Sequence, residues 1–282
     1  MIKYKVTLLL SSLLLLFSCN FKSKENSESN KSSLSKGYQL VWSDEFNELG
    51  LPDSTKWMYD TEGNATGWGN NELQHYTHAN KENAWVENGF LGITALKEQL
   101  EGKEYTSARL NSKVSWLYGK VEVKAKLPDG RGTWPAIWML GANIDTVGWP
   151  ACGEIDIMEH VGYDAHNLHG SLHTPSSYGS TINTSSLMVE NCAEEFNVYG
   201  MIWTEDSISF YVNDEGNPFY TYAPAVKTDD NWPFYKPQFF ILNLAVGGDW
   251  GGVEGIDEDC FPQSMQIDYV RIYQKMKAKD AN

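Results

Sequence analysis

The sequence predicts a single all-β domain, an antiparallel sandwich over about residues 37–274. Three observations predict it. Short runs alternate apolar and polar residues at period two. Gly, Asn, Asp and Pro separate those runs. No convincing amphipathic stretch of helical spacing, and no repeat of fixed period, interrupts them. In chain order the clearest runs are YQLVWSDEF (38–46), GFLGITALK (89–97), YGKVEVKAKL (118–127), SISFYVND (207–214), FFILNLAV (239–246) and MQIDYVRIY (265–273). In the third, Val121, Val123, Ala125 and Leu127 alternate with Lys and Glu, which is the pattern of a half-buried strand. Asp129-Gly130 and Asp214-Glu215-Gly216 read as turns.

Composition narrows the class. With 41% hydrophobic and 21% charged residues the chain can fill a core and is neither disordered nor fibrous. At 282 residues one large β domain is enough. Lys and Arg number 22 against 37 Asp and Glu, a formal charge of −15, so the surface repels phosphate backbones and no nucleic-acid partner is expected. The 37 aromatic residues (Trp 11, Tyr 15, Phe 11) suggest flat apolar surfaces beyond what the core consumes.

The chain begins with an address. Lys3 and Lys5 precede the apolar run VTLLLSSLLLLF (6–17), which is too short to span a membrane and reads as an export signal. Leu16-Phe17-Ser18-Cys19 resembles a bacterial lipobox. The resemblance implies removal of residues 1–18, lipidation of Cys19, a membrane anchor, and an exported lipoprotein at the outer membrane or cell surface. An ordinary signal peptide with an incidental Cys is the alternative. Residues 19–36 are rich in Ser, Asn, Lys and Glu and read as a flexible tether; residues 275–282 read as a tail. Of the other cysteines, Cys192 and Cys260 lie in polar, loop-like stretches and are the expected disulfide pair, leaving Cys152 free.

One strand carries the chemistry. Residues 153–160 read Gly-Glu-Ile-Asp-Ile-Met-Glu-His. Alternation puts Glu154 and Asp156 on one face, and would then put Met158 beside them. A β-bulge absorbing one residue returns Glu159 to the acidic face instead. Three carboxylates on one strand face repel one another and raise each other's pKa, a cost that structure alone rarely requires. A glycosidase requires it: one carboxylate attacks, one carboxylic acid protonates the leaving oxygen, and a retaining enzyme holds them ~5–5.5 Å apart. Four residue steps span roughly 13 Å of backbone, so this reading predicts a curved sheet with the motif in its hollow. An exposed acidic strand or a cation-binding cluster would show the same residues.

At this point the residues resemble glycoside hydrolase family 16, in the bulged form of the motif found in laminarinases. The resemblance runs from Trp42-Ser-Asp-Glu-Phe46 through Trp68-Gly-Asn-Asn-Glu-Leu-Gln74, Trp134-Pro-Ala-Ile-Trp138 and Asn243-Leu-Ala-Val-Gly-Gly-Asp-Trp250 to Asp268-Tyr-Val-Arg-Ile-Tyr273. It implies a jelly-roll β-sandwich of two curved antiparallel sheets with the substrate cleft on the concave face. It implies Glu154 as nucleophile, Glu159 as general acid/base, and Asp156 between them. Arg109 would bond sugar hydroxyls, and His173 would sit near the acid/base as a support. No catalytic cofactor is implied. A structural Ca²⁺ would take ligands from Glu45, Gly89 and Asp268. The expected substrate is β-1,3-glucan of the laminarin type, cut internally by a monomer. Mixed-linkage glucan, or another polysaccharide of the same family, is the alternative, followed by a non-catalytic glycan-binding protein.

The remaining candidates rest on residue chemistry. Trp134 and Trp138 stand four apart on a strand-like run, hence on one face, where indole rings can stack on sugars. Trp149 and Trp250, with Trp116, are further cleft candidates, and about half of the tryptophans are expected in the core. Asn70, Asn71 and Glu72 are loop-borne polar candidates. His166, His169 and His173 have helical spacing but fall in a strand-like run with no acid completing a zinc motif, so no catalytic metal is expected.

Overall fold

The structure, a computed structural model, describes residues 37–275. The expected signal, the expected lipidation site Cys19, the expected tether, and the tail beyond Lys275 lie outside the described residues. The strands, in chain order, are β1 (Tyr38–Asp44), β2 (Trp57–Tyr59), β3 (Gln74–Tyr76), β4 (Ala84–Glu87), β5 (Phe90–Ala95), β6 (Tyr105–Ser107), β7 (Arg109–Trp116), β8 (Gly119–Lys126), β9 (Thr133–Gly141), β10 (Glu154–His160), β11 (Asn167–His173), β12 (Thr184–Met188), β13 (Asn197–Trp203), β14 (Ile208–Val212), β15 (Tyr220–Tyr222), β16 (Gln238–Val246) and β17 (Gln263–Lys275). Two single-turn helices, α1 (Ile144–Val147) and α2 (Gly248–Gly251), punctuate the connections.

Two antiparallel sheets make the sandwich. One runs β15-β14-β13-β8-β17-β5-β4, with β1 also paired to β17. The other runs β12-β11-β10-β9-β16-β7-β2 and carries the acidic motif on β10 near its middle. The period-two strands bury their apolar sides between the sheets. On β8, Val121, Val123 and Ala125 are buried. Lys120 and Lys124 lie on its outer face, in ion pairs with Glu122, Glu215 and Asp268. Ile137 and Met139 of β9, Ile155 and Ile157 of β10, and Leu242 and Leu244 of β16 face them from the second sheet. Each such side chain contributes about 1.5–3 kcal/mol on leaving water, which fixes the register of the strand that bears it.

Three expectations change. A third, two-stranded sheet pairs β3 with β6 in parallel, against the all-antiparallel expectation. Its strands are three residues each, too short to carry a legible alternation. Cys192 and Cys260 do not pair: all three described cysteines are free thiols. Cys192 is fully buried and its Sγ donates to the Ala165 carbonyl at 3.1 Å, so the segment is core rather than exposed loop. Trp116 is also core, packed edge-on against Trp42 at 5.1 Å. Trp57, Trp203 and Trp232 are buried with it, so four of the eleven tryptophans are core residues.

The two acidic residues of the expected calcium site are engaged by cationic side chains. Both carboxylate oxygens of Glu45 accept from Arg271, at 2.9 and 2.7 Å. Asp268 pairs with Lys124 at 2.6 Å. The register nonetheless gathers the three residues: β17 pairs with β5 up to Ile267 and with β1 from Val270, and Asp268 falls in the gap between. Gly89 occupies the turn into β5 at φ +83°, where a side chain would be strained. With the Glu45 carboxylate held by Arg271, a Ca²⁺ there would draw on main-chain carbonyls and take the Asp268 carboxylate from Lys124.

Candidate active site

β10 carries the expected bulge. Against β11, Asp156 pairs with Ser171 and Glu159 with His169, so two residues of β10, Ile157 and Met158, stand opposite one of β11, Gly170. Against β9, Asp156 pairs with Trp138 and Glu159 with Ala136, and the shift falls between Asp156 and Met158. The bulge sends Ile157 and Met158 both into the core, at 2% and 1% exposure, and returns Glu159 to the side of Glu154. The apolar pair anchors the bulge; the acids follow from it.

Each glutamate meets its own indole. Trp149 Nε1 donates to Glu154 Oε2 at 3.0 Å, and Trp134 Nε1 donates to Glu159 Oε1 at 3.1 Å. His173, directly opposite Glu154 on β11, brings Nε2 to 3.1 Å from Asp156 Oδ2 and 3.6 Å from Glu154 Oε1. Its close partners are therefore Asp156 and Glu154, not the acid/base glutamate that the resemblance implied. Asp156 is 3% exposed. Ligand atoms of Glu154, Asp156 and His173 all lie within 4.8 Å of one another, close enough to crowd a small cation or a shared proton.

Burial dominates the electrostatics. It pushes Glu154 up to about 8; the charges of Asp156 and Glu159 push the same way, while His173 and the Trp149 N–H oppose it. Burial also pushes Glu159 up to about 8; Asp156 adds to the rise, and His173 and the Trp134 N–H oppose it. Burial alone lifts Asp156 well above the carboxylate range. Three carboxyls so placed titrate as a unit, each raising the proton affinity of the next. Glu154, with an N–H donor and the closer imidazole, is the better placed of the two glutamates to lose one.

An aromatic and polar floor extends across the sheet. Trp138 donates through Nε1 to Asn243 Oδ1 at 2.7 Å. Arg109 lies between two indoles, its Cζ 4.7 Å from the Trp68 ring centre and 4.8 Å from that of Trp138. Its Nε donates to Asp60 Oδ2 at 3.0 Å, which holds the guanidinium flat. Trp250 meets Trp134 edge-on at 5.4 Å and His169 at 4.9 Å, so it belongs to the flank of Glu159. Trp149 is 45% exposed and stands on the flank of Glu154.

The Asn70–Glu72 segment supports the floor more than it faces it. Glu72 is buried, and its carboxylate accepts from Asn70, Gln74 and Tyr76 at 3.3, 2.6 and 3.3 Å. Burial raises its pKa. Asn71 is exposed and reaches Asp249 at 2.9 Å, tying this loop to α2. Gly248 lies between them at φ +77°; a Cβ there would fall 2.8 Å from the Asn70 carbonyl. Sequence reasoning did not single out Asp60, Trp68, Tyr76 or Asn243 as individual site residues. Trp68 and Asn243 stood within quoted motifs, but only the loop path and the register give them partners.

Comparison with known proteins agrees with this arrangement. The family model for glycosyl hydrolases family 16 matches residues 71–271. A beta-glucanase of Rhodothermus marinus is 47% identical over 258 residues, covering 87% of this chain and 88% of that protein. The X-ray structure of the laminarinase from Rhodothermus marinus superposes with a TM-score of 0.80 at 45% identity, over 85% of this chain and 98% of that one. A mutant of SCLam, a non-specific endo-beta-1,3(4)-glucanase, co-crystallised with 1,3-beta-D-cellotriosyl-glucose and presenting a 1,3-beta-D-cellobiosyl-glucose at its active site, superposes with a TM-score of 0.80 at 43% identity over 85% of this chain and 96% of that one. With its fold, its bulged acidic strand and its family match in agreement, the chain belongs to glycosyl hydrolases family 16 and is a glycoside hydrolase.

Proposed function

We propose that the protein cleaves internal β-1,3-glucosidic bonds of laminarin-type glucans by double displacement, with retention at the anomeric carbon. The observation that carries the reading is the bulge in β10, which brings Glu154, Asp156 and Glu159 to one face, each glutamate held by its own indole N–H. Glu154, ionised, attacks the anomeric carbon and forms the glycosyl-enzyme. Glu159, protonated, gives its proton to the departing glycosidic oxygen, then takes one from the water that releases the sugar. Asp156, buried between them and close to His173, keeps the cluster's remaining proton from leaving.

Trp134, Trp138 and Trp250 offer rings for the apolar faces of glucosyl units, and Arg109 offers guanidinium donors beside them. Tolerance of mixed-linkage glucan is the second reading, supported by the likeness to the non-specific SCLam. A calcium ion near Asp268, held by main-chain oxygens of Glu45 and Gly89, is proposed on register alone.

The test is reducing-end release from laminarin, lichenan, agarose and carrageenan. Laminarin should be cut fastest, to oligosaccharides, and Glu154→Ala should lower kcat by at least ~10⁴-fold while the variant still binds the polymer. Full activity in that variant, or no laminarin turnover by the wild type, removes the reading.

A further inference from the structure

Trp149 hydrogen-bonds Glu154, yet it projects from a surface loop and almost half of it meets solvent. A side chain so exposed does not hold an N–H at a carboxylate unaided, because rotamer freedom competes with one hydrogen bond. Two rings flank it. His173, at the end of β11, lies 6.0 Å from the Trp149 ring centre, and Tyr178, in the connection from β11 to β12, meets it edge-on at 5.3 Å and 80°. Tyr178 is itself 53% exposed, and its hydroxyl is not needed for the contact.

The loop that presents Tyr178 is stiffly built. Thr174 and Ser177 exchange two backbone hydrogen bonds at 2.8 and 2.9 Å. Ser177 Oγ bonds Thr181 Oγ1 at 2.9 Å and accepts from the Ile182 N–H at 2.9 Å, while Thr181 Oγ1 donates to the Leu172 carbonyl at 2.9 Å. Ser176 N–H donates to the Asp230 carbonyl at 2.8 Å, which moors the loop to a distant part of the chain. An exposed tyrosine on so constrained a support presents its ring to the indole that holds Glu154.

We propose that Tyr178 is a positioning residue for the nucleophile: its ring fixes Trp149, and Trp149 fixes the Glu154 carboxylate for attack. The proposal rests on Glu154 being the nucleophile. It places the control of one catalytic carboxylate in a loop between two strands and outside the acidic motif.

A double-mutant cycle on laminarin tests it, after wild-type turnover has been established. Tyr178→Ala should lower kcat about tenfold and change KM less than about threefold; Tyr178→Phe, which keeps the ring edge, should stay within about twofold of the wild type. In a Trp149→Phe background, which lacks the N–H, Tyr178→Ala should cost less than a further twofold or so. The proposal fails if Tyr178→Ala is as active as the wild type, if it raises KM alone as a mere sugar contact would, or if its effect is equal in both backgrounds. Absence of wild-type turnover would instead overturn the assignment of the reaction.

Discussion

Glu154 and Glu159 show how little residue type says about role. Both are glutamates on one strand, both are pushed up to about 8, and burial is the larger cause in each. Their neighbours separate them: His173 is opposite Glu154, whereas Glu159 feels the charge of buried Glu72. The sign of the pH dependence follows. The general acid must carry its proton at the first step, so kcat/KM falls as pH rises through about 8 and that proton is lost. Glu72→Gln removes a like charge that raises Glu159, so the alkaline limb of the kcat/KM profile should move to lower pH. An unmoved limb would show that Glu72 does not reach the acid. At this scale the acids were legible because period-two alternation is a strong constraint. The Arg109–Trp68 stack was not, because it depends on a loop whose Trp68, Gly69 and Asn71 all take positive φ. For Trp68 in particular, the neighbouring sequence gives no reason to expect that backbone.

The bulge in β10 gives a sharper test of the element. Met158 is buried and belongs to the core, yet the residues around it pair as they would without it: Glu159 stands opposite His169 and Ala136. Deleting Met158 should therefore keep Glu159 on its face. The variant loses a core side chain, at a cost of about 2–5 kcal/mol read as a lower denaturant midpoint, but should retain measurable laminarin hydrolysis. Deleting Ile157 and Met158 together turns the glutamate inward and should abolish activity. A folded, wholly inactive single deletion would contradict the pairing. The bulge was legible from the acids themselves, since an extra residue between Asp156 and Glu159 is tolerable on one face only if the strand absorbs it. The seating of Trp149 was not, because α1 and the turns after it set where the indole falls.

For the whole molecule, the strands were legible and their neighbours were not. Alternation marks β8 as half-buried, but nothing local says that β17 and β13 flank it, since those pairings close long loops. The gathering of Glu45, Gly89 and Asp268 at one edge of β17 is a product of that closure, and it sets a global test: calcium should raise Tm and a chelator lower it, whereas a Tm indifferent to both would leave the edge to its Arg271 and Lys124 ion pairs. The unbonded thiols have a consequence of their own. Cys152 and Cys192 sit sealed in the interior and Cys260 half so, none of them stapled to another. A domain of this size closes on buried area alone, so a reductant should leave its denaturant midpoint where it was.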